Sequence, residues 1–163
     1  MKYTVSIELA LPREQVVALL ADPAHLPKWL RGLVVQEPLD GVHGQVGTRS
    51  RVVLRSGGQE MEGTETITRR EPADLHGIPR DTTVHFDREI VAEGMWSATR
   101  DRLTDAGPGT TLWESENEYR FSSVPMRLMA PVMGGVFRKQ SRRHMQDFKA
   151  FAEQGTDVRD ATG

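Results

Sequence analysis

The chain has 163 residues, 27% of them charged, with a formal net charge of -2 and no cysteine. That length holds one domain with a sizeable core, and the near-neutral balance excludes a whole-molecule field that would draw the protein to nucleic acid or membrane. The missing thiols exclude a disulfide framework, thiolate catalysis and cysteine-ligated metal.

Lys2 to Leu9 alternates, with Tyr3, Val5, Ile7 and Leu9 on one face and Lys2, Thr4, Ser6 and Glu8 on the other, and so predicts a half-buried strand. No apolar run is long enough to span a bilayer, and Met1-Lys2-Tyr3 leads into that strand rather than into a signal peptide, so a cytoplasmic location is expected. Leu11-Pro12-Arg13-Glu14 starts a helix with proline near its first turn. Val16, Val17, Leu19 and Leu20 supply its apolar side. Asp22-Pro23 ends it and opens a second short helical stretch, Ala24 to Leu30, stopped by Gly32.

Leu33 to Leu39 reads as a short strand, followed by a loop marked by Gly41, Gly44 and Gly47. Thr48 to Arg55 and Gln59 to Arg69 form a hairpin across Gly57-Gly58, which sets Leu54 opposite Met61, Val52 opposite Gly63 and Ser50 opposite Glu65. After a loop from Glu71 to Asp81, a second hairpin joins Thr82–Val91 to Gly94–Leu103, with its turn expected at Ala92-Glu93. Asp105 to Gly109 is a turn, and Thr111 to Phe121 is the last strand.

Val124 to Gln154 then carries an apolar stripe at about 100° per residue: Ala130, Gly134, Phe137, Ser141, His144, Phe148 and Ala152. Met126, Met133, Met145 and Phe151 flank the stripe, and Lys139, Arg142 and Arg143 lie opposite. This predicts a long amphipathic helix lying on a sheet, loosened near Pro131 and Gly134-Gly135. Its segment from Met126 to Gly135 is expected to form a mobile cavity wall, since flexible methionines repack readily. Residues 155–163 read as a flexible polar tail, leaving 1–154 as a single domain.

The order of elements, with the opening MKYTVSIELALPREQVVALLADPAHLPKWLRGL, the GGQEMEGTETI hairpin and the ending WESENEYRF…FRKQSRRHMQDFKAFAEQG, resembles the START-like or SRPBCC superfamily. The likeness falls nearest its bacterial polyketide cyclase/dehydrase-like branch and covers Met1 to about Gly155. It implies an α+β helix-grip fold, a curved seven-stranded antiparallel sheet wrapped around the C-terminal helix, with two short helices after the first strand. It also implies a cavity between sheet and helix, used in that superfamily for lipids, hormones, polyketides and aromatic substrates. No catalytic signature carries over.

Strand phase adds what the resemblance does not. Met61 and Ile67 turn Glu65 toward the helix, and Val84, Phe86 and Ile90 turn Arg88 the same way. Met95 and Leu103 bring Ser97, Thr99 and Asp101, while Trp113, Tyr119 and Phe121 bring Ser115 and Asn117. The concave face therefore carries a polar band of Glu65, Arg88, Thr99, Asp101, Ser115 and Asn117. Its charges pair with one another, line a solvated cavity, or sit where the sheet overhangs the helix and face water; a dry core would not tolerate them.

The histidines are scattered without metal-ligand spacing, and no nucleophile elbow is present. His144 reads as a core histidine with a catalytic base as the alternative, and Trp29 as a core staple or a cavity-mouth residue. The run Arg138-Lys139…Arg142-Arg143 reads as a solvated face, with a partner or anionic-surface patch as the alternative.

The expected function is binding of a hydrophobic or amphipathic small molecule, with no cofactor, no nucleic acid and no membrane span, by a monomer or homodimer. Its apolar body would lie against Trp113, Phe86, Met133 and Phe137, with Trp29, Tyr119 and His144 also on the wall and the polar group toward Glu65, Arg88, Thr99, Asp101 and Asn117. A polyketide cyclase or dehydratase is one alternative, with Asp101, Glu65 or His144 moving the proton and Arg88 or Asn117 polarising an oxygen. A protein-interaction module of the chaperone-ATPase-activator or ribosome-associated type, which the resemblance also allows, using the basic helix face, is the other.

Overall fold

The computed structural model describes residues 1–42 and 44–160; His43, and residues 161–163 of the expected tail, lie outside the described part. In chain order the elements are β1 (Lys2–Leu9), α1 (Arg13–Ala21), a 3₁₀ turn at Pro23–His25, α2 (Leu26–Trp29), β2 (Leu33–Asp40), β3 (Arg49–Ser56), β4 (Gln59–Glu71), β5 (Val84–Ala92), β6 (Met95–Gly107), β7 (Thr110–Phe121) and α3 (Val124–Gln154). The seven strands make one sheet in the order β1-β7-β6-β5-β4-β3-β2, and every neighbouring pair is antiparallel. This is the helix-grip architecture the sequence predicts: α3 lies across β1 and β7 and touches α2.

The β3–β4 register matches the predicted one, with Leu54 opposite Met61 and Ser50 opposite Glu65. The β5–β6 hairpin differs. Ala92 pairs with Met95 and Arg88 with Thr99, so the turn is Glu93-Gly94 rather than Ala92-Glu93. Gly94 has φ 75°, a left-handed conformation that glycine adopts without penalty, and this fixes the turn one position later than expected. Each partner shifts by two residues, so every side chain keeps its face. On the concave side Gly63 is needed for space: a Cβ there would stand 2.9 Å from the Ile90 side chain.

The core fills one end of the grip. Leu9 from β1, Val16, Val17 and Leu20 from α1, Trp29 from α2, Val84 and Leu103 from the sheet, and Met145 and Phe148 from α3 form one buried cluster. Phe148 stands edge-on between two indoles, 5.1 Å from the Trp29 ring and 5.3 Å from that of Trp113. Arg13 is also buried, donating to the carbonyls of Pro79, Arg80 and Thr82 and to the Glu14 carboxylate, so α1 pins the β4–β5 loop.

Ser123 caps α3 by accepting from the Met126 N–H at 3.4 Å. The helix continues unbroken through Pro131 and the glycine pair. It ends at Gly155, φ 70°, where the Gly155 and Thr156 N–H groups donate to Phe151 and Ala150. The next residues do not project as the expected tail. Val158 is buried and its N–H donates to the Lys28 carbonyl at 2.8 Å, tying the segment to α2.

Candidate functional site

Between the concave sheet and the second half of α3 lies a cavity of about 380 Å³. Its apolar walls come from Trp29 and Leu30 beside α2, Leu54, Met61, Ile90 and Trp113 on the sheet, and Phe137 and Met145 on α3. The rim includes Ser56, Gln59 and Glu60 at the β3–β4 hairpin and Gln140 on α3, all exposed.

The polar part is built by adjacent strands. Arg88 on β5 donates to Asp101 Oδ2 on β6 at 2.9 Å, and the Trp113 indole on β7 donates to Asp101 Oδ1 at 3.0 Å. Asp101 is fully buried, so both its oxygens are occupied inside the protein. The Arg88 guanidinium also sits 5.1 Å above the Phe86 ring, while its Nε is buried with no hydrogen-bond partner. Across the next pair Thr99 donates to Asn117 at 3.4 Å, and the Asn117 amide leans on Ser115. Glu65 lines the same cavity, half-buried, and has no ion pair among the described residues. A second unmatched donor, the Trp29 indole N–H, is buried on the wall. An orphaned buried donor costs about 1–3 kcal/mol, so unmatched groups on a cavity wall are suited to a water or a polar ligand atom.

On the helix side Tyr3 donates to the Phe137 carbonyl at 3.1 Å and its hydroxyl lies 2.7 Å from Ser141 Oγ. Tyr119 stacks on Tyr3, and burial pushes its phenol well above the ordinary range, so it stays neutral. Burial holds His144 below the usual imidazole value of 6.5, with Asp147 opposing and Arg143 and Arg31 assisting. A neutral imidazole thus faces the cavity at pH 7.

Of the residues singled out in the sequence, Trp29, Glu65, Arg88, Thr99, Trp113, Asn117, Tyr119, Phe137 and His144 come together on this wall. Three do not. Phe86 is buried below Arg88, facing Leu20 and Ile67. Asp101 lies behind Arg88 and Trp113. Met133 is one helical turn short of the cavity, whose α3 wall runs from Phe137 to Met145, so the segment Met126–Gly135 is not its wall. The charge partner of Arg88 is Asp101. Gln140, Ser141 and Met145 were missed as lining residues, although Ser141 and Met145 follow Phe137 at four-residue steps. Among the described residues no cluster of His, Asp and Glu is arranged to hold a metal ion, and no helix is long and apolar enough to cross a membrane.

The family described as polyketide cyclase / dehydrase and lipid transport matches residues 1–153. No curated protein matches the sequence. Among solved structures, the ZhuI aromatase/cyclase of a Streptomyces species superposes with a TM-score of 0.73 at 13% identity, covering 94% of each chain. A START superfamily protein of Mycobacterium smegmatis gives 0.70 at 15%, covering 95% of this chain and 99% of that one. Truncated norcoclaurine synthase of Thalictrum flavum gives 0.67 at 14%, covering 94% of each. At these identities the likeness is one of fold.

Proposed function

The chain belongs to the polyketide cyclase / dehydrase and lipid transport family, and from that premise we propose that it binds a small hydrophobic or amphipathic molecule between the sheet and the second half of α3. The observation that carries this reading is the cavity of about 380 Å³, within the range of roughly 300–1,000 Å³ typical of ligand pockets. Its walls are largely apolar, and among its polar groups the Arg88 Nε and the Trp29 indole N–H have no hydrogen-bond partner, with Glu65 beside them. An apolar body would lie along Trp29, Trp113 and Phe137, with an oxygen of the ligand accepting from Arg88 Nε and a donor meeting Glu65. Native mass spectrometry of the purified protein tests this directly. A co-purifying mass, or quenching of Trp29 and Trp113 fluorescence by added amphipathic aromatics, is expected; a bare protein with unquenched fluorescence would remove the proposal.

An enzymatic reading, cyclisation or dehydration of a carbonyl-rich substrate, has one observation in its favour: neutral His144 and the Glu65 carboxylate share the cavity wall. Asp101 drops out as a proton carrier, since both its oxygens are engaged. His144→Gln that keeps ligand affinity but abolishes turnover of a polyketide-like substrate would establish it. Unchanged turnover would dismiss His144 from the chemistry.

A further inference from the structure

The outer face of α3 is unlike the rest of the surface. Val124, Leu128, Val132 and Val136 recur every fourth residue and are 62%, 74%, 71% and 66% exposed. Lys139, Arg142 and Arg143 continue the same line toward the C-terminus, also exposed, and at about 100° per residue all these positions fall within roughly a third of the helix circumference. The apolar part is about 18 Å long at 1.5 Å per residue, and the basic part follows it directly.

Charge pairing separates this face from the sheet. On the strands arginines are matched to carboxylates: Arg49 to Asp40, Arg51 to Glu62, Arg69 to Glu71 and Arg100 to Glu116. Among the described residues Lys139, Arg142 and Arg143 have no ion pair, and between Glu118 and Asp147 the chain contains no carboxylate at all. A protein of net charge -2 thus concentrates unanswered positive charge beside exposed aliphatic side chains on one helix face.

We propose that this face docks on an anionic phospholipid bilayer, with Leu128 and Val132 at the acyl boundary and Lys139, Arg142 and Arg143 among the headgroups. A bilayer of this kind matches both halves of the face at once, apolar area and positive charge. Nucleic acid would use the cations and leave the valines in water. A second copy of the face would cover the valines and bring cations without supplying an anion. The surface points away from Phe137, Ser141 and His144, which line the cavity from the other side of the same helix, so it is separate from the small-molecule site.

The test is co-sedimentation of the full chain with vesicles of equimolar phosphatidylserine and phosphatidylcholine, against phosphatidylcholine alone. Binding to the anionic vesicles is expected, weakened by added salt. Lys139→Gln/Arg142→Gln/Arg143→Gln should lower it roughly a hundredfold, at about a fivefold loss per cation. Leu128→Gln/Val132→Gln should lower it about tenfold. Both variants change exposed positions to a good helix former, and cavity-ligand affinity, measured in parallel, should not move. No vesicle binding, equal binding to phosphatidylcholine alone, or binding indifferent to the Leu128/Val132 pair overturns the proposal. So does stronger binding to a duplex oligonucleotide, or a dimer in sedimentation equilibrium that the same pair of changes dissolves.

Discussion

The two halves of α3 obey the same helical geometry and meet opposite environments. From Phe137 to Gln154 the inward side chains enter either the cavity or the core, and Phe148 and Met145 are buried. From Val124 to Val136 the aliphatic side chains point to solvent, and on the inner side a Cβ added at Gly134 would meet only the Met1 side chain, at 3.3 Å. A hydrophobic side chain in a helix is therefore worth what it touches. Identical composition in the two halves would contribute to stability in one and to surface chemistry in the other.

The contrast should be plainest in stability. Phe148→Ala removes the ring wedged between Trp29 and Trp113 and should cost about 3–5 kcal/mol in a denaturant melt. Leu128→Ala, at 74% exposure, should stay within about 0.5 kcal/mol. Comparable losses would break the comparison. Phe121→Ala should fall between them, since Phe121 closes β7 at 8% exposure, with its ring 6.5 Å from both Tyr119 and Phe137 and outside the Trp29–Phe148–Trp113 cluster.

The wall that the second half faces holds its own internal charge. Arg88→Met strands the fully buried Asp101 and should cost about 3 kcal/mol. Arg88→Met/Asp101→Asn should recover a large part of that, because the charge left behind is gone. If the double variant is no better than the single one, the pair is not the structural unit that its geometry indicates.

Much of this organisation is legible in the sequence, within a definite physical limit. Alternation gives the face of each strand residue, and so places Glu65, Arg88 and Asn117 on the concave side. Phase does not give depth: Phe86 and Asp101 share the face of Arg88 yet lie beneath it. Alternation is also blind to a slip of two, so the β5–β6 register depended on recognising Gly94 as the turn residue. On α3 the stripe through Phe137 and Phe148 was visible, but Val124, Leu128, Val132 and Val136 make a second apolar line. Nothing in periodicity says where the sheet stops beneath a helix, so periodicity alone does not separate Met133 from the cavity wall. Val158, one apolar residue in a polar segment, has no periodicity to announce its burial.

Of the two halves of α3, acid should act on the second. His144 is held below 6.5 by burial, so as pH falls below 6.5 the unfolded chain takes up its proton before the folded one does. Stability is lost across that window, by at most about 1.4 kcal/mol per pH unit, until the folded-state value is reached. Melts of wild type and His144→Gln from pH 7.5 downward should diverge below about 6.5, with the variant the flatter. His85 is shifted in the same direction, so it is the difference between the two curves that reports His144. Parallel curves would place the imidazole in contact with bulk water.

The smallest effect tests whether the first half is a working helix. Gly135 is helical, exposed, and would bring an added Cβ within 4 Å of nothing. Glycine in a helix interior is worth about 0.5–1 kcal/mol less than alanine, through the freedom it retains when unfolded. If Val124 to Val136 is as firmly helical as the second half, Gly135→Ala should raise stability by about that amount. If the segment frays in solution around Pro131, the folded state gains nothing from the methyl group and the melts should coincide. A gain would mean that the outward aliphatic face is held on a rigid rod, as docking on a flat surface requires. Coincident melts combined with faster amide exchange from Leu128 to Val136 than from Ser141 to Phe151 would mean instead that the two halves differ in order as well as in surroundings.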